Sequence, residues 1–276
     1  MAEITAAAVK ELREKTGLPM MECKKALVES GGDQEAAISN LRAQGRKTQA
    51  TRADRTTTEG RIAVHLGDGV GTMIELQCES GPVASNEDFV QLSKDMAQQL
   101  ATGPGAATPD ELLDQPSPSA EGQTLREQKD DLYNRIRETF NLSRICRIDS
   151  NCGGYVHNGN QVVGVLAEIE GDNADVAKDV CMHIAAMNPD AVNTEDLDPE
   201  VVAKERGILT EAARKEGKPE NIIEKMIDGR LRKFYAERVL NEQPFIRDDK
   251  QTVGKYAQAG GIKVKKFEYW LLGKSN

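Results

Sequence analysis

The sequence predicts an α+β protein: an N-terminal three-helix module, two related α+β core subdomains with antiparallel sheets, and a protruding antiparallel helical hairpin. Three observations predict it. Apolar residues recur at helical spacing through the first 45 positions. A hairpin followed by an amphipathic helix occurs twice in the central region. Residues 190–240 read as two helices joined by a short Gly-Lys-Pro turn.

Residues 1–45 divide into three short helices. Thr5 can cap the first, which carries Ala8, Val9 and Leu12 and ends at Gly17. Pro19 suits a first helical turn, and Met21, Ala26 and Leu27 give the second helix its apolar side. Gly31-Gly32 breaks the chain. Asp33 caps a third helix with Ala36, Ala37, Ile38 and Leu41, closed by Gly45. A bundle this small is marginal alone. Residues 46–59 contain almost no large apolar residue and read as a polar linker.

The first core subdomain is expected over 60–149. Its opening strand, Gly60-Arg61-Ile62-Ala63-Val64-His65, turns at Gly67-Asp68-Gly69 and returns as Gly71-Thr72-Met73-Ile74-Glu75-Leu76. A helix follows, with Phe89, Val90, Leu92, Met96 and Leu100 on its inner side. The second copy begins Gly154-Tyr155-Val156-His157, turns at Asn158-Gly159-Asn160 and returns as Gly164-Val165-Leu166-Ala167-Glu168-Ile169. Its helix carries Val176, Val180, Ile184 and Met187. Residues 150–189 and 241–276 make up this second subdomain. Between the copies, 103–122 is rich in Pro, Gly, Ser and Ala and reads as an exposed loop. Leu125 to Asn141 reads as a charged helix, and Arg144 to Asp149 as a strand entering the second copy.

The hairpin occupies 190–240. Asp198-Pro199 supplies a cap and a first-turn proline, and Gly217-Lys218-Pro219 the turn. Ile223, Ile227, Leu231 and Phe234 line the second arm; Val201, Val202, Ile208, Leu209 and Ala212 serve the first. Each arm would reach about 27 Å, too long to bury itself in a compact domain. Val264 to Leu272 reads as a last strand.

Composition narrows the function. The chain has 276 residues, 29% charged and 4% aromatic, with net charge −9. Non-specific nucleic-acid binding needs a basic face, so direct contact with nucleic acid is not expected. No stretch approaches the roughly 20 apolar residues of a membrane helix. Met1-Ala2-Glu3-Ile4 does not open a secretory signal, which points to the cytoplasm. Cys23, Cys78, Cys146, Cys152 and Cys181 are scattered, with no Cys-x-x-Cys pair, so neither a disulfide framework nor a zinc site is expected. No phosphate loop, nucleophile–base pair or metal cluster is visible, so no cofactor and no enzymatic chemistry are expected.

The stretch Leu12-Arg13-Glu14-Lys15-Thr16-Gly17-Leu18-Pro19-Met20-Met21-Glu22-Cys23-Lys24-Lys25-Ala26-Leu27 resembles the amino-terminal signature of the elongation factor Ts family. That family has Ala-Gly at Leu18-Pro19 and Asp at Glu22. Further matches run in order along the chain: Gly31-Gly32-Asp33, Ile74-Glu75-Leu76-Gln77-Cys78-Glu79, Val180-Cys181-Met182-His183-Ile184-Ala185-Ala186, Gly217-Lys218-Pro219, Gln243-Pro244-Phe245 and Lys250-Gln251-Thr252-Val253-Gly254. The resemblance implies an exchange factor that binds elongation factor Tu in its GDP-bound and nucleotide-free forms. It implies a UBA-like N-terminal module docking on the G domain of Tu, core subdomains spanning the G domain and third domain, and a hairpin that can support a homodimer.

The same resemblance points to partner-binding residues. Arg13, Met20, Met21 and Lys24 match positions that contact Tu, and His157 a family histidine near that contact. Ile136 and Ile246 match apolar contacts, each followed by an arginine that departs from the family pattern. The segment that dislocates magnesium reads Cys-Glu-Thr-Asp-Phe-Val-Ala in the family. Here it is Cys78-Glu79-Ser80-Gly81-Pro82-Val83-Ala84, so Ser80, Gly81, Pro82 and Val83 carry neither the carboxylate nor the ring. Exchange by shape, through Pro82 and Val83, is the expectation; a Tu-binding chaperone with weakened exchange is the alternative. Asp88-Phe89-Val90 imitates the missing motif, but the spacing of Phe89 with Leu92 and Met96 assigns it to the core. His65 lacks neighbours at metal-ligand spacing, and His183 reads as structural. The family often continues with a further helical module; this sequence ends at Asn276, so that contact is not expected.

Overall fold

The computed structural model describes residues 4–51, 55–159, 162–216 and 219–274. Met1 to Glu3, residues 52–54 of the expected linker, Asn160 of the second strand turn and Gly217-Lys218 of the hairpin turn lie outside the described residues. Two compact units are present: Met1–His65, Thr72–Arg147 and Leu271–Asn276 form one, and Leu66–Gly71 with Ile148–Trp270 the other. The architecture is α+β, with a three-helix module at the N-terminus and antiparallel sheets.

In the first unit, α1 (Ala6–Thr16), α2 (Met20–Glu29) and α3 (Gln34–Ala50) enclose Val9, Leu12, Leu18, Cys23, Ala26, Leu27, Ala37 and Leu41. Thr5 accepts a bond from the Ala8 N–H, and Gly17 ends α1 in the left-handed conformation. Asp33 accepts from the Ala36 N–H at the start of α3. Gly45 does not close α3, contrary to the sequence expectation; the helix continues through it to Ala50. The reason is packing. A Cβ at Gly45 would collide with Oδ1 of buried Asn134, so glycine allows α3 to approach the helix over Leu125–Ile136 closely.

The strands β1 (Glu59–Gly67), β2 (Val70–Cys78) and β3 (Asn141–Ile148) form a sheet in the order β1-β2-β3. The strand expected to enter the second copy therefore completes the first. Burial of Glu75 on β2 explains the choice. Its carboxylate accepts two bonds from Arg144 of β3, at 2.7 and 3.1 Å, and others from Gln77 and the Gly273 N–H. A buried carboxylate needs such a partner, and Arg144 of β3 supplies it.

The one-turn α4 (Gly81–Ala84), α5 (Glu87–Thr102), α6 (Pro109–Leu113) and α7 (Leu125–Ile136) cover this sheet. Phe89, Leu92, Met96 and Leu100 are buried as their spacing predicts, with Phe89 edge-on to Phe140. Residues 103–122 are more than an exposed loop. Leu112 and Leu113 of α6 enter the core, and buried Asp95 accepts a bond from Ser119 that pins the segment and another from Gln128 of α7.

In the second unit, β4 (Cys152–Asn158) pairs antiparallel with β5 (Val162–Glu170), and the sheet order is β4-β5-β8. Here α8 (Ala174–Met187) packs on β4 and β5. Glu168 stands where Glu75 stands in the first copy and meets Lys266 of β8 (Lys263–Leu271) at 3.2 Å. The repeat thus extends to a carboxylate on each middle strand paired with a cation on the third.

The arms α9 (Pro199–Lys215) and α10 (Glu220–Arg238) pack through Ile223, Ile227, Leu231 and Phe234 against Val202, Leu209 and Ala213. Val201 and Ile208 are exposed, because the seam runs through Val202, Leu209 and Ala213 and each of those two lies one residue, about 100° of helix, away from it. The segment then returns through β6 (Pro244–Phe245), β7 (Asp248–Thr252) and α11 (Val253–Ala259). Among the described residues no helix is long and apolar enough to cross a membrane.

Candidate partner-binding surface

The first turn of α2 presents Met20 and Met21 to solvent, 51% and 71% exposed. Helical geometry explains this. Cys23, Ala26 and Leu27 face the module core, so 21, 24 and 28 point away from it, while Met20 shares their side but stands at the very start of the helix, where it stays exposed. Lys24 and Val28 are also exposed there, and Arg13 is exposed on α1. Exposed methionines are flexible and polarizable and adapt to a partner surface.

That face is fastened to the first sheet. Arg137 closes α7 in the left-handed conformation and its Nη2 donates to Glu22 Oε2 at 2.6 Å. The next residue, Glu138, accepts from both the Ser80 N–H (3.1 Å) and the Ser80 hydroxyl (2.7 Å). Residues 136–138 therefore join α2 on one side to the segment 80–83 on the other. Ile136 is half-buried against the sheet core.

The segment 80–83 is the start of α4. Ser80 is its N-cap, and Val83 points inward with Ala84. Pro82 is exposed and Gly81 partly so; these are what the turn offers to a partner. Glu79 just before it is held by the Thr139 N–H at 2.8 Å and by Arg55 at 3.0 Å. Burial opposes ionisation of Glu79, but the Thr139 and Arg55 contacts together outweigh it and hold the carboxyl below its usual range.

In the second unit, His157 is exposed near the end of β4, its Nδ1 3.4 Å from the Tyr155 hydroxyl. Ile246 lies at the reversal between β6 and β7 and is 51% exposed. Its N–H donates to Nδ1 of fully buried His183 at 3.2 Å. Arg247 donates to Asp179 on α8.

The sequence marked these candidate residues but not the contacts that support them. Glu138 and Ser80 are 58 residues apart, and Arg137 and Glu22 are 115 apart. No local pattern connects such pairs. His183 and Gln243 both fall inside motif blocks, yet their pairing appears only in three dimensions. Among the described residues no cluster of His, Cys, Asp or Glu could hold a metal ion. Burial pushes the Cys78 and Cys181 thiols up to about 12, leaving them unreactive.

The family model described as Elongation factor TS matches residues 79–274. A relative named Elongation factor Ts from Hyphomonas neptunium is 44% identical, over 99% of this chain and 93% of its own. Those from Methylococcus capsulatus and Kineococcus radiotolerans are 41% and 39% identical, over 98% and 99% of this chain and 92% and 100% of theirs. With its α+β repeats and helical module, the protein is of the translation elongation factor class. The chain belongs to the elongation factor Ts family.

Proposed function

We propose that this chain is a guanine-nucleotide exchange factor for elongation factor Tu, acting in the cytoplasm without enzymatic chemistry, cofactor or direct nucleic-acid contact. It binds Tu·GDP, weakens the magnesium and phosphate contacts, and releases GDP so that GTP can bind. One observation carries the reading most directly: Met20 and Met21 are coupled, through the Glu22–Arg137 pair and Glu138, to the exposed turn at Gly81-Pro82. An anchor and a wedge on one unit let binding at α2 bring the turn against the partner.

The energetics are those of linkage. A protein that binds empty Tu more tightly than loaded Tu weakens nucleotide by the same factor. A thousandfold weakening needs about 4 kcal/mol of differential affinity. Adaptable apolar side chains at Met20, Met21 and Ile136, with Arg13 and Lys24, supply contact area from the first unit, and Ile246 and His157 supply it from the second. The Ser80 to Val83 segment supplies the differential part, with Pro82 as its contacting tip and Val83 as its internal support. The hairpin, with Val201 and Ile208 outward, supports a homodimer.

A second reading, a Tu-binding chaperone with weak exchange, is favoured by one feature. Gly81-Pro82 offers neither carboxylate nor aromatic ring to a magnesium site. Stopped-flow release of fluorescent GDP from Tu distinguishes the two. Exchange requires acceleration that rises with added protein. The double replacement Gly81→Asp with Pro82→Phe is expected to change the rate modestly; a rise of several orders of magnitude would show the natural turn to be inert. Equal affinity for empty and GDP-filled Tu in calorimetry would sink the exchange reading.

A further inference from the structure

His183 is the fully buried imidazole of the second unit, and its contacts define its state. The Ile246 N–H points at Nδ1 from 3.2 Å, which requires that nitrogen to be an unprotonated acceptor. The proton therefore sits on Nε2, which donates to Gln243 Oε1 at 2.9 Å. The Gln243 amide nitrogen donates in turn to the Glu237 carbonyl, fixing the orientation of the amide.

Above this network stands a very small ribbon. Pro244 pairs with Thr252 and Phe245 with Asp248, leaving Ile246 and Arg247 as the reversal. A two-stranded ribbon of this size is not stable by itself in water. It is held from beneath: Phe245 is buried and stacks on Tyr256 at 4.1 Å, and Tyr256 and Arg247 both donate to Asp179. These contacts hold the residues on either side of Ile246. The backbone of Ile246 itself, with its half-exposed apolar side chain, is held by His183.

We propose that His183 is a positioning residue for partner binding, its Nδ1 clamping the Ile246 backbone so that the isoleucine is presented in one fixed direction. The inference rests on the reading of this chain as a Tu-binding factor. Its physical content is preorganisation: an apolar anchor already ordered loses less freedom on binding than one on a loose loop. Burial holds the imidazole below its ordinary value of 6.5, so it stays a neutral acceptor near neutral pH.

Two substitutions separate the clamp from simple packing. In His183→Asn the amide oxygen can occupy the place of Nδ1 and still accept the Ile246 N–H. In His183→Gln the longer amide can reach Gln243 instead and leaves Ile246 without its acceptor. Both lower the melting temperature of the full-length protein. The clamp predicts faster hydrogen exchange at the Ile246 amide and about tenfold weaker binding to nucleotide-free Tu in His183→Gln, with His183→Asn within about twofold of wild type on both readouts. Ile246→Ala, a surface change, should weaken binding by a similar factor and add little when combined with His183→Gln. Equal protection of the Ile246 amide in both His183 variants overturns the clamp. So does loss of protection with unchanged affinity. Failure of the wild-type protein to bind Tu is a different result: it removes the exchange-factor reading, and the positioning role with it, while amide exchange still reports on the hydrogen bond.

Discussion

Glu75 and Glu168 occupy equivalent places in the two copies, yet their surroundings give them different energetic weight. The Glu75 side chain is 1% exposed and receives two bonds from Arg144; the Glu168 side chain is 19% exposed and meets the largely exposed Lys266. Removing one member of a buried pair strands the other and costs about 3 kcal/mol or more, whereas an exposed pair contributes about 0–1 kcal/mol. Glu75→Ala is therefore expected to lower unfolding stability by about 3 kcal/mol, and Lys266→Ala by less than about 1 kcal/mol. Urea titrations of the two variants check this. Equal losses would show that burial does not set the difference. The motif around Glu75 was legible in the sequence, but the asymmetry between the two carboxylates was not, because burial depends on neighbours far along the chain.

At the scale of elements, the N-terminal module owes its attachment to α7 to a few side chains. Arg42 of α3 donates from Nε and Nη2 to both carboxylate oxygens of Asp131, at 2.8 and 2.7 Å, and from Nη1 to Glu127. The Asp131 bond is the main reason the guanidinium holds its proton more tightly than usual. A bidentate pair of this kind is worth more than an ordinary surface ion pair, here about 1–2 kcal/mol after allowance for partial exposure. Arg42→Ala should raise amide exchange in α1, α2 and α3 and leave α9 and α10 unchanged. Uniform acceleration across the chain, or none in the module, would count against this account. The three helices themselves were readable from caps and spacing. Gly45 was misread as a helix end because glycine has two uses: it relaxes a terminus, and it lets two helices come close. Only Asn134, 89 positions away in the sequence, decides between them.

For the whole molecule, acid should act on the two units in sequence. His183 has a folded pKa below its ordinary 6.5, chiefly through burial. The unfolded chain therefore binds the proton first, and the contribution of His183 to stability is complete above pH 6.5 and declines as pH falls from there towards the folded value. Glu79 is likewise depressed, below 4.5: burial opposes this, and the Thr139 and Arg55 contacts outweigh it. Its contribution is present above pH 4.5 and is lost as pH falls through the folded value. Hydrogen exchange followed from pH 7 downward should show protection weakening first in the second unit, around α8 and β6–β7, and later around Glu79 in the first. Simultaneous loss, or the reverse order, would contradict the assignment.

By itself the sequence determined the main helices and hairpins, the internal repeat and the family, because caps, turn residues and apolar periods act over a few residues; the short α6, the ribbon β6–β7 and α11 left no such apolar period. Tertiary structure alone decided that the strand at Arg144 completes the first sheet, that Val83 turns inward and leaves Pro82 at the tip, and that Val201 and Ile208 stay outside the hairpin seam. It also decided which polar groups meet: Glu22 with Arg137, Ser80 with Glu138, His183 with the Ile246 N–H. The physical reason is the same in each case. Burial and hydrogen-bond partners are properties of groups brought together from distant parts of the chain, and a local pattern carries no record of which groups those will be.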